Sequence, residues 1–455
     1  MERFLLLGLG LAAFSATLFC LRHRSPMHLL ALLAVFTLFA GNFFPIATLF
    51  VEPLSWRNVI QAPDDDVLAV QWEYVAFAAG LCAAACFAFA AGGLSERRSV
   101  RDSRTEARPD ARPERSDLLV ASFLVLGGAV LYGLFVRHVG IETLGSRDDY
   151  AAKYLRSVGH GPLASGINVM IAGVLWAEAG RLPPRAKNLF RAVGLSIAAW
   201  SLLVIAVRTN MVILGLGYGW IVCVRRGVTI GRVRPAIALA AVMGWFGMEL
   251  ISLWRGAVKE AGAGRATEII VRNAEANMAA VVGGSELSHP FLTALEVRLH
   301  EHEGDLGGRS YWNAIPALAP LALVPDRPLA LAETFARTHY AEMAEQGGGT
   351  AFSLVGEAWW NFGAIGGSLL VGFLAGALLL ALEAAAANGR GGVLAHVVPY
   401  LAFLCVIAHR SESAVLLKQA AVIALPVAVV VILADILAPI LSRRTAHLAP
   451  SLQET

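Results

Sequence analysis

The sequence predicts an all-α, polytopic membrane protein with a large loop on one face and about eleven transmembrane helices, each close to the ~20 apolar residues a bilayer core requires. Composition is the first reason. Of 455 residues, 57% are hydrophobic and only 16% are charged, and the mean hydropathy is +0.62. A water-soluble chain carries a larger charged share, because it must cover its surface. The second reason is that long apolar runs alternate with short basic loops along nearly the whole chain. Together these exclude a soluble globular enzyme, a disordered chain and a secreted disulfide scaffold. The net charge of +3, from 37 basic and 34 acidic residues, is too balanced to imply a nucleic-acid partner.

The expected spans lie near residues 4–21, 27–51, 73–93, 118–136, 162–180, 192–207, 210–224, 235–253, 356–382, 393–408 and 414–437. The first resembles a signal peptide, but no small-residue cleavage site follows it and a second long run begins at Met27. The sixth and seventh are separated only by Arg208, Thr209 and Asn210, which interrupt a run too long for one crossing. The five cysteines, Cys20, Cys82, Cys86, Cys223 and Cys405, all fall inside apolar runs, so neither a disulfide framework nor zinc spacing is present. Cys82 and Cys86 are one helical turn apart and read as small packing residues.

Sidedness follows from the basic loops. Arg22 and Arg24, seven arginines within residues 97–115, the group Arg181, Arg185, Lys187 and Arg191, and Arg225, Arg226, Arg232 and Arg234 fall on one side. Arg390, Arg443 and Arg444 continue the same alternation, and the opposite loops include the acidic run Asp64, Asp65, Asp66. This predicts a multi-pass membrane protein, with its N-terminus outside and its C-terminus inside. The expected organisation is a three-helix membrane part (1–93), a disordered, Arg- and Pro-rich cytoplasmic linker (94–117) and central helices (118–253). A large outer loop (254–355), C-terminal membrane helices (356–437) and a cytoplasmic tail (438–455) follow. A loop that long is expected to fold against the membrane, with residues 314–324 as an interfacial or re-entrant piece.

Several cations sit on the wrong side for the positive-inside bias. Arg147, Arg156, Arg208, Arg255 and Arg410 all lie at or beyond the outer ends of expected helices. Arg208 and Arg410 occupy very short turns between apolar spans, where an arginine at membrane depth costs about 2.5–3.5 kcal/mol. Snorkelling to the headgroups accounts for one such residue. Several converging on one face suit a shared anionic ligand, because guanidinium donates paired hydrogen bonds to phosphate and keeps its charge.

A second feature is the run Gly-Glu-Ala-Trp-Trp-Asn-Phe-Gly at 356–363. Glu357 and Asn361 are four apart and share a helix face. Trp359 and Trp360 are expected at headgroup level, and the pairs Gly363/Gly367 and Gly372/Gly376 suit close helix packing. Glu357 is either a functional carboxylate or a cap of its own helix. A third feature, residues 145–154, places Arg147, Tyr150 and Tyr154 at helical spacing beside Asp148.

In this order along the chain, the three features resemble the oligosaccharide repeat unit polymerases, or O-antigen polymerases, of bacterial surface-polysaccharide assembly. The resemblance rests on the Arg147 to Tyr150 loop, Arg208 opening a span, a large outer loop, the 353–363 segment, and the late Arg410. It implies a GT-C-like membrane glycosyltransferase that joins polyprenyl-diphosphate-linked oligosaccharides at the periplasmic face, in the lipid bilayer, with a chain-length regulator as a further partner. Neither a metal nor another cofactor is implied. The acceptor hydroxyl attacks the donor's anomeric carbon, and preorganised cations stabilise the departing diphosphate. Under this resemblance Glu357, Arg208 and Arg410 form the expected catalytic set. Arg147, Asp148, Tyr150, Arg255, Asn361 and His409 bind substrate, with Asp148 or His409 in reserve as the base.

Three rivals stand beside this expectation. Asp64, Asp65 and Asp66 could bind a hard cation in a metal-dependent enzyme. An O-antigen ligase, which transfers finished polymer to a lipid A core, also combines outer arginines with a large loop. A transporter would line its path with charges in the middle of several spans, and here the spans are nearly free of them.

Overall fold

The computed structural model describes residues 1–25, 27–49, 62–92, 114–145, 156, 160–201, 209–232, 262–272, 288–319, 324–345, 349–388 and 393–448. Arg147, Asp148, Tyr150, Arg208 and Arg255, the expected span 235–253 and most of the expected linker lie outside them. Among the described residues the chain is all-helical, without a strand. Seven helical stretches are long and apolar enough to cross a membrane.

The first three are α1 (Glu2–Cys20), α2 (Leu29–Ala47) and α3 (Asp64–Ala90). α3 starts at Asp64, not 73, so the three aspartates form its first helical turn, where their charge favours the helix dipole. Asp64 pairs with Arg3 at 2.6 Å and Asp66 with Arg298 at 3.1 Å. α4 (Glu114–Val139) begins inside the stretch expected to be linker, because Asp117 is buried and accepts from Trp176 Nε1 and Arg181 N. α5 (Gly166–Ala179), preceded by the turn Gly161–Ala164, packs along α4, and Gly128 and Gly166 bring the two backbones together. α6 (Pro184–Trp200) and α7 (Thr209–Arg226) lie outside the seven. Residues 202–208, the end of the expected sixth span, lie outside the described residues.

Next come α8 (His289–His300), α9 (Arg309–Asn313), α10 (Leu331–His339) and α11 (Leu354–Phe362). They gather at the end of the bundle where α3 begins, here termed the loop end. Beyond them are α12 (Gly366–Asn388), α13 (Val393–Ile407) and α14 (Ser413–Leu448). α13 runs on through the 3-10 turn Ala408–Arg410, giving a shorter apolar helix, and α14 continues as helix into the expected tail.

α3 and α12 make the tightest helix pair. A Cβ on Gly80 would fall 2.2 Å from the Leu369 carbonyl oxygen, and one on Gly372 would fall 2.3 Å from that of Phe77. Only glycine allows such an approach, which gives dispersion contact where lipid offers no hydrophobic drive. Charges inside the bundle hold helix ends. Glu73 accepts from Ile365 N and Ser368 Oγ at the start of α12, and Glu383 accepts from Leu29 N and pairs with His28 at the start of α2. Near the same end as Glu383, Glu178 is bound by Arg191 and Arg225.

Candidate functional site

The expected single span 356–382 is two helices. α11 ends at Phe362 because Gly363 adopts φ +84° and Ile365, unusually for a branched residue, φ +52°. Glu303 accepts from Ala364 N in this break at 2.6 Å, and Glu73 accepts from Ile365 N. The 356–362 segment is therefore a short helix above the span.

Trp359 and Trp360 do not face headgroups. With Val297, Leu331, Phe335 and Phe352 they form a small second core, in which Phe335 meets Trp360 edge-on at 6.1 Å and Phe352 stacks on it at 6.0 Å. Leu306 N donates to the Trp360 carbonyl, tying the loop preceding α9 to α11. Folding the loop end around these indoles turns one face of α11 inward, and that face carries Glu357 and Asn361.

Ser353 caps α11 by accepting from Gly356 N, so Glu357 does not cap its own helix. Glu357 is fully buried and reaches two other elements. Its Oε1 accepts from Ser310 Oγ of α9 at 2.6 Å and from Ser413 Oγ of α14 at 2.7 Å. Its Oε2 accepts from Ser413 N at 2.7 Å, so it satisfies the exposed start of α14 instead. Asn361 shares the face, as its spacing predicts, and its Nδ2 donates to Ser310 Oγ and to the Glu357 carbonyl, both at 2.7 Å. Burial pushes the Glu357 carboxyl above the usual carboxylate range, while the Ser310 and Ser413 donors pull it back.

Next to this well-bonded carboxylate stands one that is not. Glu412, in the link between the 3-10 turn and α14, is fully buried, and neither of its oxygens has a hydrogen-bond partner. The backbone N–H groups of Ala332 and of Glu412 itself favour its charged form, but neither completes a hydrogen bond to it. Burial and the charge of Glu357 push its carboxyl up to about 7. Glu412 can therefore hold or release a proton near neutral pH, whereas Glu357 is an anchored acceptor.

Arg410 and His409 occupy the same turn, which packs against α11. Arg410 is half-buried two residues from Glu412. His409 is buried, stacks on Phe36 with centroids 5.5 Å apart, and directs Nδ1 to the Val406 carbonyl. Among the described residues, eight buried side-chain polar atoms lack a partner, and seven belong to Tyr311, Thr350, Trp359, Trp360, His409 and Glu412, on α9, on α11 and the segment before it, and in the 409–412 link. Native interiors leave few such groups unpaired, so their concentration marks the place.

The structure thus brings together Glu357, Asn361, His409 and Arg410 from the expected set and adds Ser310, Glu412 and Ser413. Arg147, Asp148, Tyr150, Arg208 and Arg255 lie outside the described residues. A signal for two of the additions was in plain view, since Ser411, Glu412 and Ser413 directly follow Arg410 between two apolar runs. Ser310 carries no such signal. No family model, no curated protein and no solved structure matches the chain.

Proposed function

We propose that this protein is a bacterial inner-membrane glycosyltransferase that joins polyprenyl-diphosphate-linked oligosaccharide repeat units at the periplasmic face, as the O-antigen polymerases it resembles do. In this assignment the loop end faces the periplasm. The carrying observation is the pair of buried carboxyl groups beside Arg410, one fully hydrogen-bonded and the other with no partner. Glu412 takes the role of base that the sequence suggested for Glu357. The acceptor hydroxyl oxygen bonds to the donor's anomeric carbon, its proton passes to Glu412, and the carbon–oxygen bond to the diphosphate breaks with its electron pair. Arg410 stabilises the charge gathering on that diphosphate, a role in which the assignment also enlists Arg208, Arg147 and Arg255. Ala332 lies near Glu412, so the first turn of α10 must move aside for substrate to reach it.

The acids inside the bundle bear on the transporter alternative. Glu73, Glu178 and Glu383 each hold a helix end or an ion pair, which leaves them occupied and unsuited to line a transport path. The test is complementation of a deletion strain with Arg208→Ala, Arg410→Ala and Glu412→Gln, reading the ladder of polymer lengths. Loss of the ladder at normal protein level, with single repeat units left on the acceptor, supports the proposal. Long chains retained on the polyprenyl carrier would make the protein a ligase, and an unchanged ladder would end the enzymatic assignment.

A further inference from the structure

A cationic pair that the proposed chemistry does not use lies beside α9 and the start of α14. Arg327 donates Nη1 to two carbonyls of the loop, Ala317 at 3.0 Å and Ala319 at 2.8 Å. These bracket the 3-10 turn Pro316–Leu318, which packs on α14. Anchored there, the guanidinium is held on the turn that packs against α14, the helix whose second turn carries Lys418, and the two cations sense one another's charge. Two like charges are thus held near one another at the edge of a low-dielectric region, an arrangement that repels unless an anion lies between them. Glu333 is the nearby acid, but it bonds Arg337 at 2.6 Å on its own helix. Among the described residues Lys418 has no ion-pair partner within 4.0 Å.

The position says what kind of anion fits. Lys418, Leu425, Val429, Ile432 and Ile436 recur at helical spacing, so they form one stripe of α14. The four apolar members are 65%, 55%, 56% and 58% exposed, which makes this the lipid-facing side of a span. Trp312 and Ile315, 74% and 56% exposed, project from the segment packed above it, as interfacial anchors do. A snorkelling lysine explains Lys418 alone. It does not explain an arginine anchored to the backbone of the turn that packs on the same helix.

We propose that Arg327 and Lys418 form a binding site for the phosphate of a membrane lipid, seated between the 316–318 turn and the lipid-facing stripe of α14. Lys418 is five residues along α14 from Ser413, a rise of about 7.5 Å. On the glycosyltransferase assignment this is where a carrier lipid would arrive; the binding itself does not depend on that assignment.

The test is lipid retention by the full-length protein in nanodiscs of phosphatidylcholine doped with phosphatidylglycerol or with undecaprenyl diphosphate, read by native mass spectrometry. Lys418→Gln lies on an exposed face and should leave the fold intact. It is expected to weaken retention of the phosphate lipid about fivefold, the effect of one surface cation, and Lys418→Arg should restore it. Arg327→Gln should weaken it further, but that variant also releases two carbonyls, so Lys418→Gln is the deciding one. Preference for either doped lipid supports the site and identifies which lipid it selects. Equal retention by wild type and Lys418→Gln overturns the proposal, as does displacement of the lipid by millimolar inorganic phosphate, which would mark a site for a free anion.

Discussion

Glu357 and Ser413 are joined twice, the carboxylate accepting from both the backbone N–H and the hydroxyl of Ser413 at 2.7 Å. The link ties α11, above the membrane-crossing helices, to the first residue of α14. It also leaves Glu357 with little free accepting capacity, while the neighbouring Glu412 keeps all of its own. Different predictions follow for the two carboxyl groups.

Glu357→Ala should destabilise the protein whatever its activity, because it strands the donors of buried Ser310 and half-buried Ser413. Each unsatisfied buried group costs about 1–3 kcal/mol, so thermal unfolding in detergent should fall by several degrees or more. Ser413→Ala, which keeps the backbone bond to Oε2, should have a smaller effect. A Glu357→Ala variant as stable as wild type would contradict the anchoring role.

Glu412 carries the pH dependence. Its folded carboxyl titrates at about 7, above the ordinary 4.5. The protonated form is thus favoured by folding: stability is full below pH 4.5, declines as pH rises through 7, and is lower beyond. The difference corresponds to on the order of 3 kcal/mol. Glu412→Gln should flatten this decline and unfold at a higher temperature than wild type at pH 8. If Glu412 is the base, wild-type turnover rises through pH 7 and the Gln variant loses it.

Gly80→Val and Gly372→Val should each prevent stable accumulation of the protein. The added side chain meets a backbone carbonyl of the facing helix, which cannot rotate away as a flexible side chain would. Gly127→Val, where nothing lies within 4 Å, is the matched control. Size-exclusion profiles of a fluorescent fusion distinguish them.

Asp66→Asn should lower stability by about 1 kcal/mol or less, since its pair with Arg298 is partly exposed. On the glycosyltransferase proposal, if Asp64 and Asp66 serve ion pairs and not a cation, the double Asn variant should still make polymer in the presence of EDTA. Loss of polymer with retained protein would restore the metal-dependent alternative.

Local pattern carried much of this protein. Apolar runs near 20 residues announce helices because a backbone in lipid must satisfy its own hydrogen bonds, and the i, i+4 spacing of Glu357 and Asn361 placed both on one face before any fold was known. Of the two glycine pairs that suit close packing, Gly372 and Gly376 pack closely on α3, whereas Gly363 falls in the break between α11 and α12. The break at 363–365 was harder to see, because Ile365 at positive φ is a conformation its side chain opposes and only tertiary contacts impose.

What the amino-acid sequence determined by itself was that the chain is helical and membrane-embedded, and which short polar turns interrupt its apolar runs. Tertiary structure alone decided that Trp359 and Trp360 turn inward, that Glu357 binds residues 47 and 56 positions away, and that Glu412 is left without a donor. The reason is physical: periodicity records the solvent each face meets, whereas a hydrogen-bond partner is set by which distant turns the packed helices happen to bring within three ångströms.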